Sequence, residues 1–284
     1  MCRFTLYLGH PIRLSALLIE PSHSLILQST SSKERDEPLN GDGFGVGWYA
    51  PELHPEPAVF RSITPAWNNR NLQSLARVVA SPCIFAHVRA ATQASGVNEA
   101  NCHPFRYNQF LFMHNGDIGG FRKVRRKLLE SVSDEAFGNV YGSTDSEHFF
   151  AVVIDELLQR EESDPEHRMA RALNRAIARV QALVDAHAGG EPTYLNVALT
   201  DGHTAVVARY SSERREKPES LYYYGGKIYV PVDHAAHVRD PATFVVASER
   251  LTEDASWQEI PPSHILSISR GNKPHLTPID LALA

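Results

Sequence analysis

The chain has 284 residues, 43% hydrophobic and 21% charged, with a formal net charge of −5. That balance supplies a sizeable core and argues against a general nucleic-acid binder. No apolar run is long enough to span a membrane, and the N-terminus lacks the apolar segment of a signal peptide. The three cysteines, Cys2, Cys83 and Cys102, have no paired spacing, which fits a reducing, cytoplasmic setting better than a disulfide framework.

Cys2 to Leu8 reads as a strand, followed by a turn and a short helix from His10 to Glu20. Ser22 to Asn40 is polar and loop-like, with a charged cluster from Lys33 to Glu37; a solvated loop is the simpler reading, a lid the lesser one. In Gly41-Asp42-Gly43-Phe44-Gly45-Val46-Gly47 the glycines fall on every second residue, so they share one face of a strand. A bare face admits either another backbone or a ligand. The spacing is not that of a dinucleotide or P-loop site.

Pro51 to Pro57 reads as a turn, Asn68 to Val79 as a helix, Cys83 to Arg89 as a strand, Ala90 to Pro104 as a loop and Phe110 to His114 as a buried strand. Phe121 to Glu130 is an amphipathic helix whose Arg122, Lys123, Arg125, Arg126 and Lys127 form a solvated face or, less simply, a dock for an acidic partner. Asp145 to Arg160 forms a helix with Thr144 and Glu147 as a capping box. Pro165 to Ala188 forms another, capped by Asp164 and stopped by Gly189-Gly190. From Thr193 the pattern is β, with strands at Tyr194–Leu199, Ala205–Tyr210, Leu221–Tyr224, Lys227–Val230, Phe244–Ala247, Trp257–Ile260 and Ile265–Ser269. Asp201-Gly202, Gly225-Gly226 and Pro261-Pro262 read as turns between them. Strands at both ends and helices between them suggest antiparallel sheets in an α+β fold. With no linker or repeat, one domain over residues 2–284 is expected.

Four polar stretches exceed what packing requires: Cys2-Arg3-Phe4, His87 to Thr92, His114 to Asp117, and Gly142 to Glu147. Removal of Met1 would give Cys2 both a thiol and a free α-amine, whose pKa of about 7.7–8.0 suits a base for that thiol. Each stretch also has a plainer reading. Cys2 can simply start a strand, Arg89 can be half of an ion pair, Asn115-Gly116 can be a turn, and Asp145 can favour a helix dipole.

Together and in this order the stretches resemble the glutaminase domain of class II glutamine amidotransferases, which are N-terminal nucleophile hydrolases. The resemblance implies a four-layer αββα sandwich with two mostly antiparallel sheets. It implies Cys2 as nucleophile, Asn115 and Gly116 as oxyanion hole, Arg89 for the substrate α-carboxylate and Asp145 for the α-ammonium. It also implies Thr92 and His103, the latter in Asn101-Cys102-His103-Pro104-Phe105, near the substrate. Ala247-Ser248-Glu249 and Trp257–Ser269 look like the family's closing strands. Pro11 to Ser15, Asn40 to Val46, Ile63 to Asn69 and Phe85 to Ala90 look particularly like the short, synthase-free branch that includes a subunit of the fungal glutathione-degrading complex. Ala90 and Gln93 stand where the larger synthases carry Trp and His, so strict glutamine specificity is not implied.

The function so implied is cleavage of the γ-glutamyl amide of glutamine or of a γ-glutamyl peptide such as glutathione, through a thioester on Cys2. No cofactor, metal, nucleic acid or membrane is expected, and a partner protein could supply a peptidase or synthase activity. Two other readings compete. One is a zinc site at His87, Cys102-His103 and His114, which lacks the usual ligand spacing. The other is a non-catalytic γ-glutamyl-binding or scaffold subunit.

Overall fold

The computed structural model describes residues 2–34, 39–90, 96–159, 164–213, 219–227 and 239–283. In chain order its strands are β1 (Arg3–Arg13), β2 (Phe44–Ala50), β3 (His54–Ser62), β4 (Ala80–Val88), β5 (Phe105–Tyr107), β6 (Phe110–Asp117), β7 (Tyr194–Thr200), β8 (Thr204–Ser211), β9 (Tyr222–Lys227), β10 (Arg239–Ala247), β11 (Gln258–Glu259), β12 (His264–Ser269) and β13 (His275–Pro278). The helices are α1 (Ser15–Leu18), α2 (Leu25–Gln28), α3 (Arg70–Val78), α4 (Phe121–Glu130), α5 (Asp134–Phe137), α6 (Asp145–Leu158) and α7 (Pro165–His187). None of the described helices is long and apolar enough to cross a membrane.

The strands form a seven-stranded sheet, β11-β9-β10-β1-β4-β2-β3, and a six-stranded sheet, β13-β12-β8-β7-β6-β5. The pairings are antiparallel. Both faces of the central strands are covered, which is why β1 reads as an unbroken buried run from Arg3 to Gly9. On β1, Phe4, Leu6 and Leu8 point between the sheets, where they meet Phe85, Leu111, Met113 and Val207. Tyr7 points the other way, into a cluster with Leu17, Leu25, Leu72 and Ala76 from α1, α2 and α3. On the far side, Val124, Phe149, Phe150, Ile177 and Val184 of α4, α6 and α7 cover Phe112, Val197 and Ala208 of the six-stranded sheet. The order helix, sheet, sheet, helix is the αββα sandwich expected. Each fully buried Leu or Phe contributes about 1.5–3 kcal/mol.

Several local expectations change. β1 continues past Pro11 to Arg13, with an irregularity between Leu8 and Ile12, so the helix that follows is only one turn. The polar stretch from Ser22 carries α2, whose first turn is capped by Ser24 accepting from Leu27 N. The proline-rich stretch after Pro51 belongs largely to β3, an edge strand whose prolines need not donate to a neighbour. Gly225 and Gly226 do not turn the chain; they lie in β9, opposite Phe244 and Asp240. The strand expected at Lys227–Val230 runs out of the described residues after Lys227, as does most of the charged cluster after Glu34 and the last residue of the helix expected to reach Arg160.

Candidate active site

Cys2 stands just before β1 at half-burial. The β1–β4 register pairs Arg3 with Val88, which brings Cys2 alongside the segment that leaves β4. There the Ala90 N–H donates to Cys2 Sγ at 3.3 Å, and the Ala90 carbonyl lies 3.5 Å from the same sulfur. Burial pushes the thiol up, and the Ala90 contact opposes it.

Arg3 anchors this end of the strand. Its Nη1 donates to Cys2 O at 3.0 Å and its Nε to Glu249 Oε1 at 2.7 Å. Glu249 is buried and also receives His23 Nε2 at 2.7 Å, the Lys33 N–H at 2.9 Å and the Ser32 hydroxyl. Burial alone would raise its carboxyl, but the hydrogen bonds from His23, Ser32 and Lys33 and the Arg3 charge hold it well below the usual carboxylate range.

Asn115 comes from the other sheet. It shares a face of β6 with Met113, which packs between the sheets, so its amide points toward the β1 side. Nδ2 donates to Ser248 Oγ at 2.9 Å, and Oδ1 accepts from His87 Nε2 at 3.0 Å. Ser248 Oγ also accepts from Phe4 N at 3.0 Å. Residues 2–4, 87–90, 115 and 248 thus meet at one place. Asn115-Gly116 is not a turn: β6 pairs with β7 through Asp117. Gly116 has a φ of +145°, and a Cβ there would overlap the Tyr194 carbonyl oxygen, so only glycine fits.

Arg89 is buried, and its backbone is locked to the glycine-rich segment. Its N–H donates to Gly43 O at 2.8 Å and its carbonyl accepts from Asp42 N at 3.0 Å, while Nη2 donates to Gly96 O at 3.4 Å. The bare face of that segment is closely packed by the protein itself: a Cβ on Gly45 would overlap the His103 carbonyl oxygen, one on Gly41 would meet the Trp67 ring, and one on Gly47 the Leu111 side chain. The close packing open from sequence is therefore observed at these glycines.

Asp145 opens α6, with Oδ2 accepting from Ile118 N at 3.0 Å and Oδ1 from Ser146 N at 2.8 Å. Thr144 caps the helix, accepting from Glu147 N, but Glu147 turns its carboxylate to the Tyr141 and Gly142 N–H groups; only half of the capping box forms. Asp117 lies beside Asp145. Its carboxyl is pushed up to about 6, by desolvation first and then by the Asp145 charge. Both acids line a cleft of about 430 Å³ together with Arg122, Lys123, Arg125 and Glu191; Cys2 is not on its walls.

His103 is buried behind His87, with ring centroids 4.2 Å apart, and against Phe105 at 4.5 Å. Burial pushes it well below the usual imidazole value, and neither ring nitrogen has a partner among the described residues. It adjoins the site through His87 and does not touch Cys2. Thr92 and Gln93 lie outside the described residues. For the zinc reading, the His87 and His103 rings lie against each other, tilted by 30°, and His114 is engaged by Ser146 Oγ at 2.9 Å and Tyr194 O at 3.3 Å. Among the described residues no three metal-binding side chains are grouped.

Ser248, Glu249, His23 and Asp117 were not singled out from sequence as site residues. Asp117 closes the polar stretch that begins at His114, and the Ser-Glu pair shows as a polar break after the apolar run Phe244 to Ala247.

The family model for class II glutamine amidotransferases matches residues 13–280. The chain is 40% identical to the probable glutamine amidotransferase DUG3 of Saccharomyces cerevisiae, over 95% of this chain and 82% of that protein. It is 24% identical to the gamma-glutamyl-hercynylcysteine sulfoxide hydrolase of Mycobacterium tuberculosis, over 95% of this chain and 94% of that one. Among solved structures, a glutamine aminotransferase class-II domain protein from Silicibacter pomeroyi superposes with a TM-score of 0.67 at 30% identity, covering 98% and 99% of the two chains.

Proposed function

Because the chain belongs to the class II glutamine amidotransferases, we propose that it uses Cys2 to hydrolyse the γ-glutamyl amide of glutamine or of a γ-glutamyl peptide such as glutathione. Removal of Met1 frees the Cys2 α-amine, and that amine takes the thiol proton. The sulfur adds to the γ-carbon, and the carbonyl oxygen becomes an oxyanion held by the Asn115 side-chain amide and the Gly116 N–H. Each such donor is worth about 3 kcal/mol. The C–N bond then breaks, and the Cys2 ammonium returns its proton to the departing amine. Water adds to the γ-glutamyl thioester, the C–S bond breaks, the thiol regains a proton and glutamate leaves.

Arg89 offers its planar fork to the substrate α-carboxylate, and Asp145 offers opposite charge to the α-ammonium. Thr92 and His103 belong to the surrounding substrate shell. The observation that carries this reading is the meeting of Cys2 Sγ with Ala90, next to Arg89, while Ser248 joins Phe4 to Asn115. The hydrolase among the relatives and the amidotransferase DUG3 point to the same substrate class. In this reading residues 2–284 act as one cytoplasmic domain, and a partner protein supplies the peptidase or synthase that handles the other half of the reaction.

Glutamate release from glutamine and from glutathione, measured on protein whose intact mass lacks Met1, tests the proposal. Cys2→Ala should lower release by at least about 10³-fold with the fold retained by circular dichroism. Unchanged release would overturn it and favour the scaffold reading.

A further inference from the structure

We propose that His87 and Ser248 are positioning residues: together they fix which way the Asn115 amide faces and hold it in register with the strand that bears Cys2. The inference rests on the γ-glutamyl reading above, in which Asn115 supplies an oxyanion donor.

An asparagine amide is nearly symmetric in shape, so only its neighbours decide which end is N–H and which is carbonyl. Here the two neighbours come from the sheet opposite. His87 lies two residues beyond Phe85, on the face of β4 that looks between the sheets. Its Nε2 lies 3.0 Å from Asn115 Oδ1. Burial pushes this imidazole down to about 3, so the ring is neutral and carries one proton. An acceptor faces Nε2 and none among the described residues faces Nδ1, so the proton belongs on Nε2. Turning the amide over would require that proton on Nδ1, where it would be a buried donor with no acceptor among the described residues. The His103 ring, its centroid 4.2 Å away and its plane tilted by 30°, packs against His87 and limits its rotation.

Ser248 supplies the other half. Its hydroxyl could donate or accept, so it cannot choose the sense of the amide. What it sets is distance. One oxygen accepts from Asn115 Nδ2 at 2.9 Å and from Phe4 N at 3.0 Å, and Phe4 is two residues from the nucleophile. The Ser248 N–H donates back to Phe4 O at 3.0 Å. One Nδ2 hydrogen is thereby spent on Ser248, and the second is the donor left for the substrate. Sulfur and amide sit on different sheets, and this hydroxyl ties them to one spacing.

The test compares His87→Ala, His87→Gln, Ser248→Ala and Ser248→Thr with wild type, all lacking Met1. Glutamate release from glutamine and glutathione gives kcat and KM, and iodoacetamide reports Cys2 reactivity without needing an oxyanion donor. His87→Ala should lower kcat by about 10²-fold while KM moves by less than about three-fold. His87→Gln, whose amide can donate to Asn115 Oδ1, should recover about ten-fold of that loss, and Ser248→Thr should outperform Ser248→Ala. Iodoacetamide labelling should match wild type throughout. The proposal is overturned if Gln is no better than Ala at position 87, or if KM carries the loss. Neutron crystal structures of the two His87 variants, which tell an amide nitrogen from its oxygen, give a second readout: the Asn115 amide should keep its direction in the Gln variant and lose its single direction in the Ala variant. An inactive wild type would sink the γ-glutamyl reading, while the crystal structures would still decide the clamp.

Discussion

Arg3 and Asn115 meet near the start of β1 from opposite sheets, and they are held by opposite means. Arg3 is fixed by charge: Glu249 binds its guanidinium and gathers His23, Ser32 and the Lys33 N–H around one carboxylate. Asn115 is fixed by neutral groups alone, an imidazole and a hydroxyl. A charged anchor gives rigidity that proton concentration can withdraw. A neutral anchor gives direction without adding a charge. The molecule holds the start of β1 with charge and the Asn115 amide with dipoles.

The largest break in that contrast comes from Glu249→Gln. It leaves Arg3 and His23 buried without their shared anion, a loss of about 3–5 kcal/mol by urea unfolding at neutral pH. The sign with pH follows from the depressed folded pKa of Glu249. Its contribution is fully present above the unfolded glutamate value of about 4.3 and is lost as pH falls from there through the folded value. Wild type should therefore lose stability below that pH more steeply than Glu249→Gln; parallel curves would place the acid sensitivity elsewhere.

Gly116→Ala strains the neutral side. A Cβ there meets the Tyr194 carbonyl at a φ of +145°, so β6 must move from β7, at about 3 kcal/mol by the same assay. A wild-type unfolding midpoint would contradict the close approach. Arg89→Lys keeps the charge and removes the planar fork, and should raise KM for glutamine or glutathione about ten-fold with kcat little changed. An unchanged KM would remove Arg89 from the carboxylate. The smallest effect belongs to Asp117. Its carboxyl titrates near 6 beside Asp145, in a cleft also lined by Glu191, Arg122, Lys123 and Arg125. Above that pH it adds a second negative charge for a substrate ammonium, so kcat/KM should rise about three-fold through pH 6. Asp117→Asn should flatten that step; a step that survives belongs to another group.

What the sequence disclosed follows the same division between local and distant. The central strands and the long helices carry their own signals, apolar runs for β4 and β6 and a 3.6-residue stripe for α4, α6 and α7, with caps on the last two. The strands absent from the sequence reading, β3, β5 and β13, all lie at sheet edges. Edge strands tolerate proline and need little apolar alternation, so Pro55 and Pro57 made β3 look like a turn. Cys2, Arg89, Asn115, Gly116 and Asp145 stand out because each sits in a short polar motif. Ser248 and Glu249 show in sequence only as a polar break after an apolar run; the residues they hold, Phe4 and Arg3, lie 244 and 246 positions earlier, and nothing local marks those partners.

β1 lies between β4 and β10, and Phe4 closes its bonds with Ser248. Phe4 and Ser248 are 244 positions apart, so the surroundings of β1 are complete only once that distant segment has folded against it. A polypeptide cut ahead of β10 would leave that flank of β1 as an open edge, a ready template for pairing with another chain.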